Sequence, residues 1–274
     1  MRVILIKLIE INPNLCTKCG LCTNVCTSSV LLFDSNEPRA NNPQNCISCG
    51  QCVAVCPNSA LDNIKTPLSK QTAIDSFPVI DSNTAETFLR SRRSIRCFKS
   101  TSIPNDNLIK LLNIARFAPT ASNSQGLSYI IVSNKTILNK MSELVVQWME
   151  NQQNEASHWS FPRHINNYRN LGIDTILRDA PHLIIATAPD TFSNGRSNTI
   201  SSLSYVELYS TSLGLGSCWA GLFEFCAFSK YEPLLNLLNI PKDKVITGAI
   251  MIGYPKYKYQ KLVDRNPLNF TFIN

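Results

Sequence analysis

Cys16-Thr17-Lys18-Cys19-Gly20-Leu21-Cys22-Thr23-Asn24-Val25-Cys26 is answered thirty residues later by Cys46-Ile47-Ser48-Cys49-Gly50-Gln51-Cys52-Val53-Ala54-Val55-Cys56. Both stretches have the spacing Cys-x2-Cys-x2-Cys-x3-Cys. Three thiolates on one tight loop can grip three corners of an iron–sulfur cubane, while the fourth cysteine of each run reaches the other cluster. On that logic Cys16, Cys19, Cys22 and Cys56 hold one [4Fe–4S] cluster, and Cys46, Cys49, Cys52 and Cys26 hold a second. A pair of zinc sites is the competing reading. Zinc, however, takes four ligands as two Cys-x2-Cys pairs, which a triple spacing with a fourth cysteine at x3 does not suit. Gly20 and Gly50 follow the second cysteine of each run, where a side chain is expected to crowd amides turned toward the sulfurs. Pro57 follows Cys56, whereas Thr27 stands at the equivalent place after Cys26.

A repeat of about thirty residues implies two similar half-modules packed as one small domain, residues 1–62. Such a domain buries little apolar core and needs its clusters as staples. Eight of the eleven cysteines fall within the first 56 residues. In a secreted chain that density would mean disulfides. Here the apolar run Val3 to Ile11 is broken by Lys7 and Glu10, lacks a cleavage-site pattern and is too short to span a bilayer. No other stretch approaches membrane length, so the expected setting is cytoplasmic, with thiols kept reduced.

With 44% hydrophobic and 16% charged residues, the composition is that of a globular chain rather than a disordered one. The formal charge of +7 invites a nucleic-acid reading. Two four-thiolate clusters, at roughly −2 each, would offset most of that excess. No stretch clusters Lys and Arg with aromatic residues along one element, so no nucleic-acid partner is expected.

Residues 63–83 are mixed in character, with Pro67, Pro78 and several polar residues, and read as a linker whose Ile74, Phe77, Val79 and Ile80 can pack. From residue 84 to 274 the elements lengthen. Thr84–Ser91, Asn105–Phe117, Ile137–Trp148, Ser201–Leu213 and Tyr231–Leu238 read as helices. Tyr129–Val132, Leu183–Ala186 and Lys244–Gly253 read as strands. No βαβ rhythm is present, so the class is α+β.

No Gly-x-Gly-x-x-Gly follows a strand, which leaves no Rossmann-type nicotinamide site. Four other motifs stand out: Arg92-Arg93-Ser94-Ile95-Arg96; Pro119-Thr120-Ala121-Ser122-Asn123-Ser124-Gln125; Leu213 to Gly221; and Gly253-Tyr254-Pro255. The arginine-rich segment offers forks suited to phosphate. In this order and spacing the motifs resemble the nitroreductase family of FMN enzymes over roughly residues 84–274. The first 62 residues resemble a bacterial two-cluster ferredoxin, and the combination resembles ferredoxin-fused nitroreductases.

That resemblance implies a three-layer domain in an intertwined homodimer with FMN at the interface. It matches Arg92, Arg93, Ser94 and Arg96 to the segment holding the flavin's phosphate, ribityl chain and pyrimidine edge. Pro119, Thr120, Ala121 and Asn123 match the loop laid on the flavin by the partner subunit. Ala220 and Gly221 match the turn whose amide faces flavin N5. Arg265 matches a late phosphate ligand, with Lys261 the weaker choice. Gly126 and Leu127 stand where the family has a proline and an aromatic residue.

No side chain is expected to act as nucleophile or base. Cys97, Cys218 and Cys226 read as plain thiols, and the three histidines lack ligand spacing. His158, Trp159 and Phe161 lie where relatives carry a variable lid. The expected chemistry is reduction of a small nitroaromatic, nitroheterocyclic or quinone-type acceptor, with NAD(P)H or a reduced ferredoxin-type protein as donor. The rivals are an iron–sulfur carrier whose second domain docks a redox partner, and a flavin enzyme of other specificity.

Overall fold

In a computed structural model, which describes residues 7–152 and 158–273, the chain divides into two units. One reaches to Val79 and takes in Ser122–Ser124; the other comprises Ile80–Ala121 and the chain from Gln125 onward.

The first unit is built from the repeat. Strand β1 (Ile9–Ile11) leads to a one-turn helix α1 (Leu21–Asn24), then a hairpin of β2 (Leu31–Asp34) and β3 (Glu37–Ala40). A second turn, α2 (Gln51–Ala54), leads to β4 (Leu61–Asn63), which pairs antiparallel with β1. Each helical turn starts from a left-handed glycine, Gly20 at φ 76° and Gly50 at φ 73°. A Cβ at either site would meet nothing nearer than 3.6 Å, so the positive φ is the constraint there and the expected crowding is not. The apolar core is small: Ile9, Val30, Leu31, Val53 and Leu61, with Cys52 at its edge. The residues expected to pack from the linker do not. Ile74, Phe77, Val79 and Ile80 are exposed, because residues 71–81 form no helix or strand and hence no face to bury.

In the second unit, helices α3 (Ser82–Ser91) and α4 (Asn105–Ala115) precede β5 (Ser128–Val132). Helices α5 (Lys135–Asn151) and α6 (Phe161–Leu171) then lead to β6 (His182–Pro189). After α7 (Gly195–Ser212) come β7 (Gly216–Trp219), α8 (Gly221–Phe228), α9 (Glu232–Leu237) and β8 (Lys244–Gly253). The sheet order is β5-β6-β8-β7, antiparallel throughout.

Alternation along the central strands decides the layers. Leu183, Ile185, Ala249 and Met251 join a core with α5, α6, α8 and α9. Ile184, Ala186, Ile250 and Ile252 face the other way, into a core with α4 and α7. Helices therefore cover both faces of the sheet. This is the three-layer α+β arrangement, and it explains why β6 and β8 read as continuous apolar runs. Among the described residues no helix is long and apolar enough to cross a membrane.

Candidate functional site

The cysteines fall into the two sets that the spacing predicts. One cavity is lined by Cys26, Cys46, Cys49 and Cys52. Another is lined by Cys16, Cys19, Cys22 and Cys56. Each run thus lends its fourth cysteine to the other set. The repeat also shows in the hydrogen bonds of these crossing residues, since Val30 N–H donates to Cys26 Sγ and Ala60 N–H to Cys56 Sγ, both at 3.2 Å.

Among the described residues no three His, Cys, Asp or Glu side chains converge on a point suited to one metal ion. Burial pushes the Cys22 and Cys52 thiols up, and neighbouring cysteines of the same set add to the shift. Four mutually repelling thiolates in a half-buried cavity call for a cationic core, so the donor set fits iron–sulfur ligation.

Sequence reading missed Asn63. It ends β4, is 1% exposed, and points Nδ2 at Cys46 Sγ (3.7 Å) and Cys52 Sγ (4.0 Å). Its Oδ1 accepts Lys65 N–H, which fixes the amide's orientation. Its only sequence signal was an asparagine a few residues past the second cysteine run. Asn123, expected on a flavin loop, also belongs to the first unit. Its Nδ2 donates to the carbonyls of Ile47 (3.1 Å) and Ser48 (2.9 Å), so those donors are engaged there.

In the second unit the arginine-rich segment is laid along β7. Ser94 bridges Ser217 in parallel register, and Ile95 N–H donates to Ser217 O at 2.8 Å. Gly216 permits this approach, since a Cβ there would overlap the Ile95 side chain. Strand β7 then runs directly into Ala220 and Gly221. Ala220 N–H is spent on Ala249 O at 2.9 Å, which leaves Gly221 N–H, in the first turn of α8, without an intrahelical acceptor. The fold therefore brings two of the predicted segments, Arg92–Arg96 and Ala220–Gly221, onto one strand.

The cations along that strand suit an anionic ligand. Arg92 is half-buried with Nη1 3.4 Å from Glu207 Oε1, and the Arg93 guanidinium lies over the Tyr259 ring at 5.1 Å. Arg178, absent from the sequence reading, is held below its ordinary value by burial and then by the Arg96 guanidinium.

The loop Pro119–Gln125 carries strain of the kind found at binding sites. Ser122, Asn123 and Gln125 have φ of 50°, 52° and 55°. Gln125 N–H donates to Thr120 Oγ1 and Ala121 N–H to Asn198 Oδ1. Pro119 starts the loop after buried Ala118. Arg265 lies past β8, exposed and outside any helix or strand, its amide donating to Asp264 Oδ1. No described contact of this single chain brings it to Arg92, Arg93 or Arg96.

The remaining polar residues are quiet. Burial pushes the Cys226 thiol up to about 12 and raises Cys218, which favours the protonated thiol at both. Burial lowers His164 and His182, each hydrogen-bonded to hydroxyl groups. His158 stacks loosely against Trp159, Phe161 and Phe225, with Phe161 buried and Trp159 exposed.

Comparison with known proteins bears on both units. The sequence pattern of the Nitroreductase family matches residues 89–254, and that of a 4Fe-4S dicluster domain matches residues 8–57. A protein of Archaeoglobus fulgidus, assigned by its name to NADH dehydrogenase/NAD(P)H nitroreductases, is 24% identical over 168 residues, covering 61% of this chain and 82% of its own. An iodotyrosine deiodinase of Thermotoga neapolitana is 23% identical over 179 residues, covering 63% and 90%. Among solved structures, a nitroreductase with bound FMN from Bacteroides fragilis superposes with a TM-score of 0.58 at 19% identity, covering 70% of this chain and all of that one.

Proposed function

The chain belongs to the nitroreductase family and carries an N-terminal ferredoxin-type domain, and from that premise we propose an FMN-dependent oxidoreductase fed by two [4Fe–4S] clusters. Its acceptors are small oxidised organic molecules of nitroaromatic, nitroheterocyclic or quinone type. Its donor is a reduced ferredoxin-type protein, or NAD(P)H, and the working form is a cytoplasmic homodimer with FMN at the interface. The layout is a ferredoxin domain over residues 1–62, a linker, and a flavin domain from residue 84.

The observation that carries this reading is the Ser94–Ser217 bridge, which sets a guanidinium-rich segment beside a helix-start amide in a chain that also holds two sets of four cysteines. FMN, when bound, supplies paired-electron chemistry, and the clusters supply electrons singly. The residues bind and aim. Cys16, Cys19, Cys22 and Cys56, and Cys46, Cys49, Cys52 and Cys26, ligate iron, while Asn63 donates to two of those sulfurs. Arg92, Arg93, Ser94 and Arg96 hold the flavin's polar edge and phosphate, with Arg265 reaching in late and Pro119, Thr120, Ala121 and Asn123 lent by the partner subunit. The Ala220–Gly221 turn presents its amide to the flavin ring.

A second reading has one observation in its favour, namely the deiodinases among the relatives. It keeps the same site and replaces nitro reduction by reductive dehalogenation. Steady-state turnover with a nitroaromatic, a quinone and an iodinated phenol, each driven by reduced ferredoxin or by NADPH, tests these readings together. Turnover of the nitroaromatic or quinone supports the first, turnover of the iodophenol alone supports the second, and a chain that binds no flavin is only an electron carrier.

A further inference from the structure

Glu207 is a carboxylate 6% exposed on α7, and among the described residues the hydrogen-bond partners of its carboxylate are Arg92, Ser217 and Trp219. Oε1 accepts from Arg92 Nη1 at 3.4 Å and from Ser217 Oγ at 3.3 Å, while Oε2 accepts from Trp219 Nε1 at 2.9 Å. Ser217 and Trp219 are alternate residues of β7, so both side chains leave the strand on the side where α7 packs. Trp219 is also the last residue before the Ala220–Gly221 turn. One buried acid therefore touches the first arginine of the Arg92–Arg96 segment and the strand residue that sets the position of the turn.

Packing alone does not call for an acid here. A buried carboxylate is costly unless fully paired, and a leucine of similar volume would fill the space without that cost. What the carboxylate adds is direction. It meets the Arg92 guanidinium through Nη1, and a fixed fork of five donors can serve an anion as well. It also holds the Trp219 indole edge-on, with the Arg196 guanidinium lying 5.2 Å over the ring.

We propose that Glu207 is a positioning residue of the flavin site, fixing Arg92 and, through Trp219, the Ala220–Gly221 turn relative to each other. The inference rests on the FMN reading above. It adds a residue that does not touch the cofactor and acts through two that frame it.

The test is a double-mutant cycle on FMN affinity, read by quenching of flavin fluorescence in the full-length, iron-loaded protein. Glu207→Gln keeps an oxygen for the indole N–H and removes the charge that orients Arg92. It should weaken FMN binding by about tenfold or more, with iron content unchanged. In an Arg92→Ala background the same substitution should add little further loss, because the residue it acts through is gone. Trp219→Phe, which removes one indole N–H, should weaken FMN by a smaller factor and keeps the idea open to test should Glu207→Gln fold poorly. Unchanged affinity in both Glu207→Gln and Trp219→Phe overturns the proposal, as does a Glu207→Gln loss that adds in full to that of Arg92→Ala. A wild-type chain that takes up no FMN overturns the flavin reading itself, before any variant is compared.

Discussion

Ser94 is bridged to Ser217 in parallel register, and through this one contact the arginine-rich segment becomes an added edge of the sheet beside β7. The bridge depends on Gly216, whose missing side chain leaves room for Ile95. Gly216→Val should push the segment off the strand. The cost in stability is about 1–3 kcal/mol, as for overpacking elsewhere. The larger effect should be loss of FMN from the purified protein, measured as flavin released per chain against an unchanged iron count.

Asn63 offers a second handle, confined to one cluster. Its amide lies near Cys46 and Cys52 and near no sulfur of the other set. N–H donors stabilise the more negative, reduced state. Asn63→Ala should therefore lower that cluster's midpoint potential, by on the order of 40 mV if about 1 kcal/mol of hydrogen bonding is lost. Redox titration followed by electron paramagnetic resonance should show one cluster moved and the other unmoved.

The crossed ligand sets predict which iron is lost. Cys56 lines the cavity with Cys16, Cys19 and Cys22, although it lies in the second run. Cys56→Ser should strip that cluster and leave about four of about eight irons per chain. A fourth ligand drawn from its own run would instead place the damage beside Cys46, Cys49 and Cys52. The Asn63-sensitive signal tells these outcomes apart, since it survives only in the first case.

A pH effect follows from the buried histidines. Burial holds His164 and His182 below the ordinary histidine value, so both are neutral in the folded chain. His182 Nε2 accepts Ile103 N–H at 2.8 Å, which places its own proton on Nδ1, toward Ser133. The unfolded chain binds the extra protons more readily. Stability from this source is thus complete above about pH 6.5 and is lost as pH falls through that value toward the lower folded-state values. The melting temperature should fall between pH 7 and pH 5.5 (a window from roughly half a unit above the free histidine value to roughly one unit below it), with a shallower slope in His182→Gln.

How much of this was written in the sequence depends on the range of the interactions. Cysteine spacing is a local feature, so it carried the two groupings of four that line the two cavities, crossing included. The long helices α4 and α5 were legible because one face of each is apolar. Strand β7 was not, since four residues, Gly216 to Trp219, give no alternation to read. Helix α8, Gly-Leu-Phe-Glu-Phe-Cys-Ala-Phe, is apolar on nearly all sides and so lacks a helical period. The first turns of α7 lay outside the expected helix Ser201–Leu213, because Gly195, Asn198 and Thr199 are small or polar yet buried. Asn63, Arg178 and Glu207 were silent for a further reason: their roles come from partners brought close by the fold, and nothing beside them in the chain marks them.

Iron and released flavin per chain, measured after anaerobic purification, test the central claim most directly. About eight irons with FMN near one per chain is the predicted result. About eight irons with no flavin, even after FMN is added back, would contradict the account and leave an electron carrier with a docking domain.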